Sequence, residues 1–148
     1  MNKITPFLWF NNEAEDAANF YFSIFPDAKK TDELRWGPGG QAPEGSLLTI
    51  SIELAGQEMT FMNGGPSQKL TEAFSFSLAC RDQAEIDDYW EKLEGTPLAC
   101  GWIKDKFGLC WQVVPENIAE LVSHPASMKA MMSMIKLDVA VLEAAAKS

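Results

Sequence analysis

One arrangement occurs twice in this chain: an apolar strand, a capped helix, then strands that close in a hairpin. Any fold must accommodate both copies. In the first, Phe7-Leu8-Trp9-Phe10 is an apolar run bounded by Pro6 and Asn11-Asn12, the pattern of a buried strand. Asn12 with Glu15 has the spacing of a capping box, and Ala17, Tyr21, Ile24 and Phe25 recur at helical intervals until Pro26 stops the helix. Leu48, Ile50, Ile52 and Leu54 alternate with Thr49, Ser51 and Glu53, the period of a half-buried strand. Ala55-Gly56-Gln57 turns the chain, and Glu58 to Met62 return as the second arm of a hairpin. In the second copy, Phe74, Phe76 and Leu78 alternate with Ser75, Ser77 and Ala79, and Asp82 with Glu85 repeats the capping spacing. Ile86, Tyr89, Trp90 and Leu93 follow at helical intervals up to a stop at Gly95. Trp102 to Lys104, a turn through Asp105 to Gly108, and Leu109 to Val114 form the closing hairpin before Pro115. The caps lie 70 positions apart and each precedes an aromatic doublet, Phe20-Tyr21 or Tyr89-Trp90, as a diverged duplication would leave them. The second copy is the shorter, running from 82 to 108 between cap and hairpin glycine against 12 to 56 in the first.

Between helix and hairpin of the first copy, Gly37 to Gly45 is too rich in Gly and Pro for a regular element and reads as a mobile loop. After Pro115, a short segment around Ile118 and Leu121 leads to His124-Pro125. One longer helix is then expected, with Met128, Met131, Met132, Ile135, Val139 and Leu142 as an apolar stripe that packs on its own sheet, covers a pocket or meets a second subunit. The expected organisation is a single domain over 1–148: module one 1–68, module two 69–115 and a helical tail 116–148.

A chain of 148 residues that is 47% hydrophobic can bury a real core. Its formal charge of −9 repels a phosphate backbone and an anionic membrane surface, which argues against a nucleic-acid partner. No window approaches the ~18 apolar residues of a membrane span, and the first residues lack the regions of a secretory signal. Cys80, Cys100 and Cys110 are odd in number and lie in or beside apolar runs, so a reducing compartment and a cytoplasmic location are expected.

Several stretches look familiar: Ile4-Thr5-Pro6-Phe7-Leu8-Trp9-Phe10, Phe61-Met62-Asn63-Gly64-Gly65-Pro66, Asp82 to Trp90, Cys100-Gly101-Trp102, Phe107 to Pro115 and Met134 to Asp138. With these the chain resembles the PhnB-like branch of the glyoxalase, bleomycin-resistance and extradiol-dioxygenase superfamily, also called vicinal oxygen chelate. The resemblance implies an α+β fold of two βαβββ modules whose sheets form a cupped surface with helices outside, commonly a homodimer. The branch often carries the label demethylubiquinone methyltransferase. Binding S-adenosylmethionine normally takes a Gly-rich turn between a parallel strand and a helix, and neither Gly37 to Gly45 nor Asn63 to Pro66 precedes such a helix.

In metal-dependent relatives, as the resemblance implies, four side chains at equivalent strand positions, mostly His and Glu, converge on a divalent cation. Counting from the hairpin glycines and back from the helices puts those positions at Pro6, Thr60, Ser75 and Gln112, with Glu58 and Met62 on the face of Thr60. Proline has no donor, neutral oxygens bind divalent cations weakly, and the chain's one His, His124, lies in the tail. The expectation is therefore no metal and no cofactor. A Mg or Ca ion held through water by Glu58 and Gln112 is the weaker alternative.

The aromatic residues Trp36, Phe61, Trp102 and Trp111 lie near the expected cup with Met62, and Ser75 and Ser77 share a small polar face that leaves space. Each aromatic has ordinary core packing as its competing explanation. Cys110 points the same way as Gln112 but lacks a paired base, which favours an inert buried thiol. His124 reads as a surface turn, and Arg35 and Lys104 as solvated cations able to steer an anion. Three functions follow. One is a module binding a small apolar or aromatic ligand through Thr60, Met62, Ser75, Ser77, Trp102 and Gln112. A second is an enzyme of the same fold acting on a carbonyl or phenolic substrate, with Gln112 polarising an oxygen and Glu58 as base. The third is a structural role with a filled cup.

Overall fold

The apolar run of the first copy forms strand β1 (Phe7–Phe10), followed by helix α1 (Ala14–Ile24) and strands β2 (Lys29–Arg35), β3 (Leu47–Leu54) and β4 (Gln57–Asn63). The computed structural model describes residues 2–148 and divides into two compact units, one up to Leu70 and one from Thr71 to Ser148. In the first unit the sheet order is β1-β4-β3-β2, with β1 parallel to β4 and the rest antiparallel. Ala14, Ala17, Ala18, Tyr21 and Ile24 of α1 are buried, the small alanines letting the helix lie close to the sheet. Phe61 sits against Phe10 and Tyr21, with ring centroids 4.9 and 5.7 Å away. Ala55 and Gly56, at φ of 48° and 84°, make the two-residue turn that matches the twist of the β3–β4 hairpin.

The second unit repeats this order: β5 (Ser75–Cys80), α2 (Gln83–Leu93), β6 (Thr96–Pro97), β7 (Trp102–Lys104) and β8 (Cys110–Pro115). Its sheet runs β5-β8-β7-β6, again with the first strand parallel to the last. Both copies are thus βαβββ with the same strand neighbours, and the α+β architecture read from the sequence holds. Three helices complete this unit, α3 (Ile118–Val122), α4 (Pro125–Met132) and α5 (Val139–Ala146), over a cluster of Val114, Leu121, Leu137 and Leu142.

Local expectations fail where a distant partner intervenes. Asn12 does not cap α1. Glu13 occupies the cap position without a side-chain bond, and the Ala14 amide donates instead to Asn63 Oδ1, 2.9 Å away and 49 residues along the chain. Asp82 does cap α2, accepting from the Glu85 amide at 3.0 Å, while the Glu85 carboxylate accepts from the Arg81 amide. That helix ends with Glu94 itself left-handed at φ 48°, so Gly95 is not the cap. Gly95 answers a different need, because a Cβ there would collide with the Lys104 carbonyl. In β3 a register shift pairs Leu34 with Thr49 but Arg35 with Leu47, so Leu48 is the bulged residue and Leu47 takes the buried position. β2, exposed along its whole length, offered no apolar alternation to read.

The expected long tail helix is two helices. Between α4 and α5 the chain turns through residues 133–138, because the Cys100 and Gly101 amides donate to the Met134 and Ile135 carbonyls at 2.9 and 2.7 Å. Gln83 binds the same turn from the start of α2, donating to the Leu137 carbonyl at 3.0 Å and accepting the Val139 amide at 2.8 Å. Of the predicted stripe, Leu142 is buried, whereas Met132 and Ile135 are 67% and 51% exposed.

Candidate functional site

Each sheet has one face under its helix and one without it, and strand register decides which side chains share the second. In the first unit Phe7, Thr60 and Ser51 form one row, and Trp9, Met62 and Thr49 the next. Thr60 Oγ1 and Ser51 Oγ are 2.9 Å apart and hydrogen-bonded. Glu58 lies beyond them opposite Glu53, which engages Lys29 at 3.2 Å. Trp9 is held by its indole N–H to the Gly65 carbonyl at 2.8 Å and by contact with Gly64, where a Cβ would collide with the ring.

In the second unit Ser77, Gln112 and Trp102 form one row, and Ser75, Cys110 and Lys104 the next. The Gln112 side-chain amide reaches across and donates to Ser75 Oγ at 3.0 Å. The Gln112 carbonyl oxygen and second N–H, and the hydroxyl protons of Ser75 and Ser77, are chemically able to form further hydrogen bonds on this face. Gln112, Ser75 and Trp102 are half-buried and Ser77 is exposed. The structure therefore brings Ser75, Ser77, Trp102 and Gln112 together on one face, and Thr60, Met62 and Glu58 on the corresponding face of the other unit.

Other expected members lie elsewhere. Phe61 and Trp111 alternate to the helix-covered faces and are core, being 0% and 3% exposed. Trp36 packs on Gly40 within its own loop. Register places Phe7, not Pro6, beside Thr60, and Ser77, not Ser75, beside Gln112. Three residues join β1 to α1 and two join β5 to α2, so a count back from the helices does not reach equivalent rows in the two units. Cys110 is buried on the face of Gln112, and burial, with Glu72 adding repulsion, pushes its thiol up, away from a reactive thiolate. His124 is exposed at the start of α4. Arg35 is engaged by Glu15, Glu33 and the Gly45 carbonyl at 3.0–3.2 Å, and Lys104 approaches Glu72 at 3.7 Å. Sequence reasoning missed Asp105, a buried carboxylate that accepts the Phe107 and Leu109 amides and the Trp111 indole N–H at 2.9–3.1 Å. It pins Trp111 to the core side and so sets Gln112 on the open one. Its spacing, an Asp opening a turn that closes on Gly108, is the available signal.

A family model described as 3-demethylubiquinone-9 3-methyltransferase matches residues 2–114. Among solved structures, a putative 3-demethylubiquinone-9 3-methyltransferase, PhnB protein, from Bacillus cereus is 31% identical, covers 77% of this chain and 98% of its own, and has a TM-score of 0.68. Protein PA1353 from Pseudomonas aeruginosa shares the fold at 17% identity and a TM-score of 0.62, over 78% of this chain and 97% of its own. The fosfomycin resistance protein FosX from Listeria monocytogenes, solved with Mn(II), does so at 14% identity and 0.54, over 78% and 94%. No curated protein matches the chain.

Neither group implied by these relatives fits the residues present. The paired positions on the open faces are Phe7 with Thr60 and Ser77 with Gln112, and neutral hydroxyl and amide oxygens are weak donors to a divalent ion. Among the described residues no group of three or more His, Cys, Asp or Glu could hold one. A methyl-donor nucleotide normally takes a Gly-rich strand-to-helix turn, yet β1 and β5 reach their helices through Asn11-Asn12-Glu13 and Arg81-Asp82. The glycines of Asn63 to Pro66 are used internally, the Gly64 amide donating to the Phe10 carbonyl at 2.9 Å and the Gly65 amide to the Asn11 carbonyl at 3.2 Å.

Proposed function

The chain belongs to the 3-demethylubiquinone-9 3-methyltransferase family, the PhnB-like branch of the vicinal oxygen chelate superfamily, and on that premise we propose that it is a metal-independent module binding a small apolar or aromatic molecule. The observation that carries this reading is the Gln112 row of the second unit. A carboxamide already oriented by Ser75 stands between the exposed Ser77 hydroxyl and the half-buried Trp102 ring. The ring supplies apolar contact, and the amide and hydroxyls fix an oxygen or nitrogen of the ligand. Thr60 and Met62 offer the first unit's counterpart, with a hydroxyl pair in place of the amide. The family's name describes a methyl transfer, and no methyl transfer is assigned to these residues.

Phenol, one ring with one hydroxyl, is the simplest probe. Added to isotopically labelled protein, it is expected to shift the Gln112 side-chain amide resonances, and Gln112→Ala to weaken binding by about tenfold, the cost of a lost polar contact in a part-buried site. EDTA is expected to leave both phenol binding and the melting temperature unchanged. Failure of phenol to move any resonance of the Gln112 row would overturn the reading, as would loss of phenol binding in EDTA. Family membership further supports a homodimer, which sedimentation equilibrium would measure. The three free thiols accord with the proposed cytoplasmic location.

A further inference from the structure

The tail, residues 116–148, follows the residues that the family model matches. Where it docks follows from register. Beyond the Ser77–Gln112 pair, the next positions on the same face of the sheet are Ala79 and Val114. Ala79 is exposed, but Val114 is buried in the cluster with Leu121, Leu137 and Leu142, and Met134 packs against that cluster. Leu137 also lies so close over Gly101 that a Cβ there would come within 2.7 Å of its Cγ, and Gly101 immediately precedes Trp102. The turn between α4 and α5 therefore sits on the ligand-facing side of the sheet, one row from Gln112. That step is two strand residues, about 7 Å.

The turn is also fastened. The Cys100 and Gly101 amides hold the Met134 and Ile135 carbonyls, and Gln83, just past the end of β5 at the same end of the sheet, holds Leu137 and Val139. Lys136 adds an ion pair to Asp87 at 2.8 Å. Two backbone–backbone hydrogen bonds, a Gln83 side-chain bond to the turn and another to Val139 just beyond it, and a charge pair are more than chain reversal requires, and they fix the turn's distance from the Gln112 row.

The geometry points to the 133–138 turn as a wall of the binding site, so that the tail sets how far a ligand seated on Gln112 extends toward Val114. This rests on the reading of the Gln112 row as a binding face. The turn carries two apolar side chains that are not fully buried, Met134, half-buried against the cluster, and Ile135, exposed. A ligand of one ring is accommodated, and a fused second ring meets the wall.

The test uses the full chain with methyl-labelled Met and Ile, and phenol and 2-naphthol as probes. Phenol is expected to shift the Met134 and Ile135 methyl resonances along one binding curve with the Gln112 amide. Gln83→Ala releases the turn without opening a cavity and is expected to raise the affinity for 2-naphthol relative to phenol by about threefold or more. Leu137→Ala, which removes the buried side chain that seats the turn on Val114 and Gly101, is expected to act in the same direction provided its melt stays cooperative. Shifts at Gln112 without shifts at Met134 or Ile135, or an unchanged naphthol-to-phenol ratio in Gln83→Ala, would overturn the wall and leave the binding face standing. No shift at Gln112 with either probe would remove both.

Discussion

Cys80 shows how a single side chain's surroundings set its chemistry. It is fully buried at the end of β5, and burial first, then the carboxylates of Glu85 and Asp82, push its thiol up to about 12 from 9.0. A group whose folded value exceeds its unfolded one holds its proton more tightly when folded, so its contribution to stability is intact below about pH 9 and is lost between about 9 and 12. The melting temperature is accordingly expected to fall across that interval, and Cys80→Ala to flatten the fall by close to one proton. Iodoacetamide labelling of the native protein at pH 8, followed by mass spectrometry, is expected to mark the part-exposed Cys100 before Cys80 or Cys110. That the cysteines are unpaired and mostly buried was legible in their apolar neighbourhoods. The buried acidic hub at Asp105 was not, because its value comes from two amides and an indole that meet only when the hairpin closes.

Helix caps separate what is written locally from what is supplied from afar. Asn12-Glu15 and Asp82-Glu85 carry the same spacing, and only the second forms. Asn63, at the end of β4, takes the role in α1 and also donates to the Leu47 carbonyl at 3.3 Å, tying helix and sheet together. Asn63→Ala is expected to cost about 1–2 kcal/mol, Asp82→Ala about 1 kcal/mol and Asn12→Ala less than about 0.5 kcal/mol, in urea melts compared with the parent protein. Capping signals near one another in sequence are satisfied by whichever acceptor the packed element brings nearer. The same competition explains the tail. An unbroken 3.6-residue stripe predicts one helix, but amides offered by Cys100 and Gly101 and the side chain of Gln83 recruit the carbonyls of residues 134, 135 and 137.

At the scale of the whole molecule, the two units carry the same strand order on different cores. The first closes with α1 over its sheet, whereas α2 buries only Ile86 and Leu93, and the second unit adds the Val114–Leu121–Leu137–Leu142 cluster with its tail. Truncation after Glu116 strips that cover from Val114 and Gly101. It is expected to lower the melting temperature by about 5–10 °C, with the loss seen by amide exchange in β5, β7 and β8 rather than in β1 to β4. Equal loss of protection in both sheets would show instead that the two units unfold as one.

The amino-acid sequence by itself determined the repeated order of strand, helix and hairpin, because alternation and helical spacing are written in adjacent residues and each copy buries its own apolar face. It also carried the residue types of the proposed site, neutral amide and hydroxyl groups. The tertiary structure alone decided which of those side chains meet. A single residue of register exchanges faces in a strand, so Phe61 and Trp111 went to the core while Trp102 stayed beside Gln112. It also decided where the tail bends, since hydrogen bonds from residues more than 30 positions away outweighed the local preference for continuing the helix.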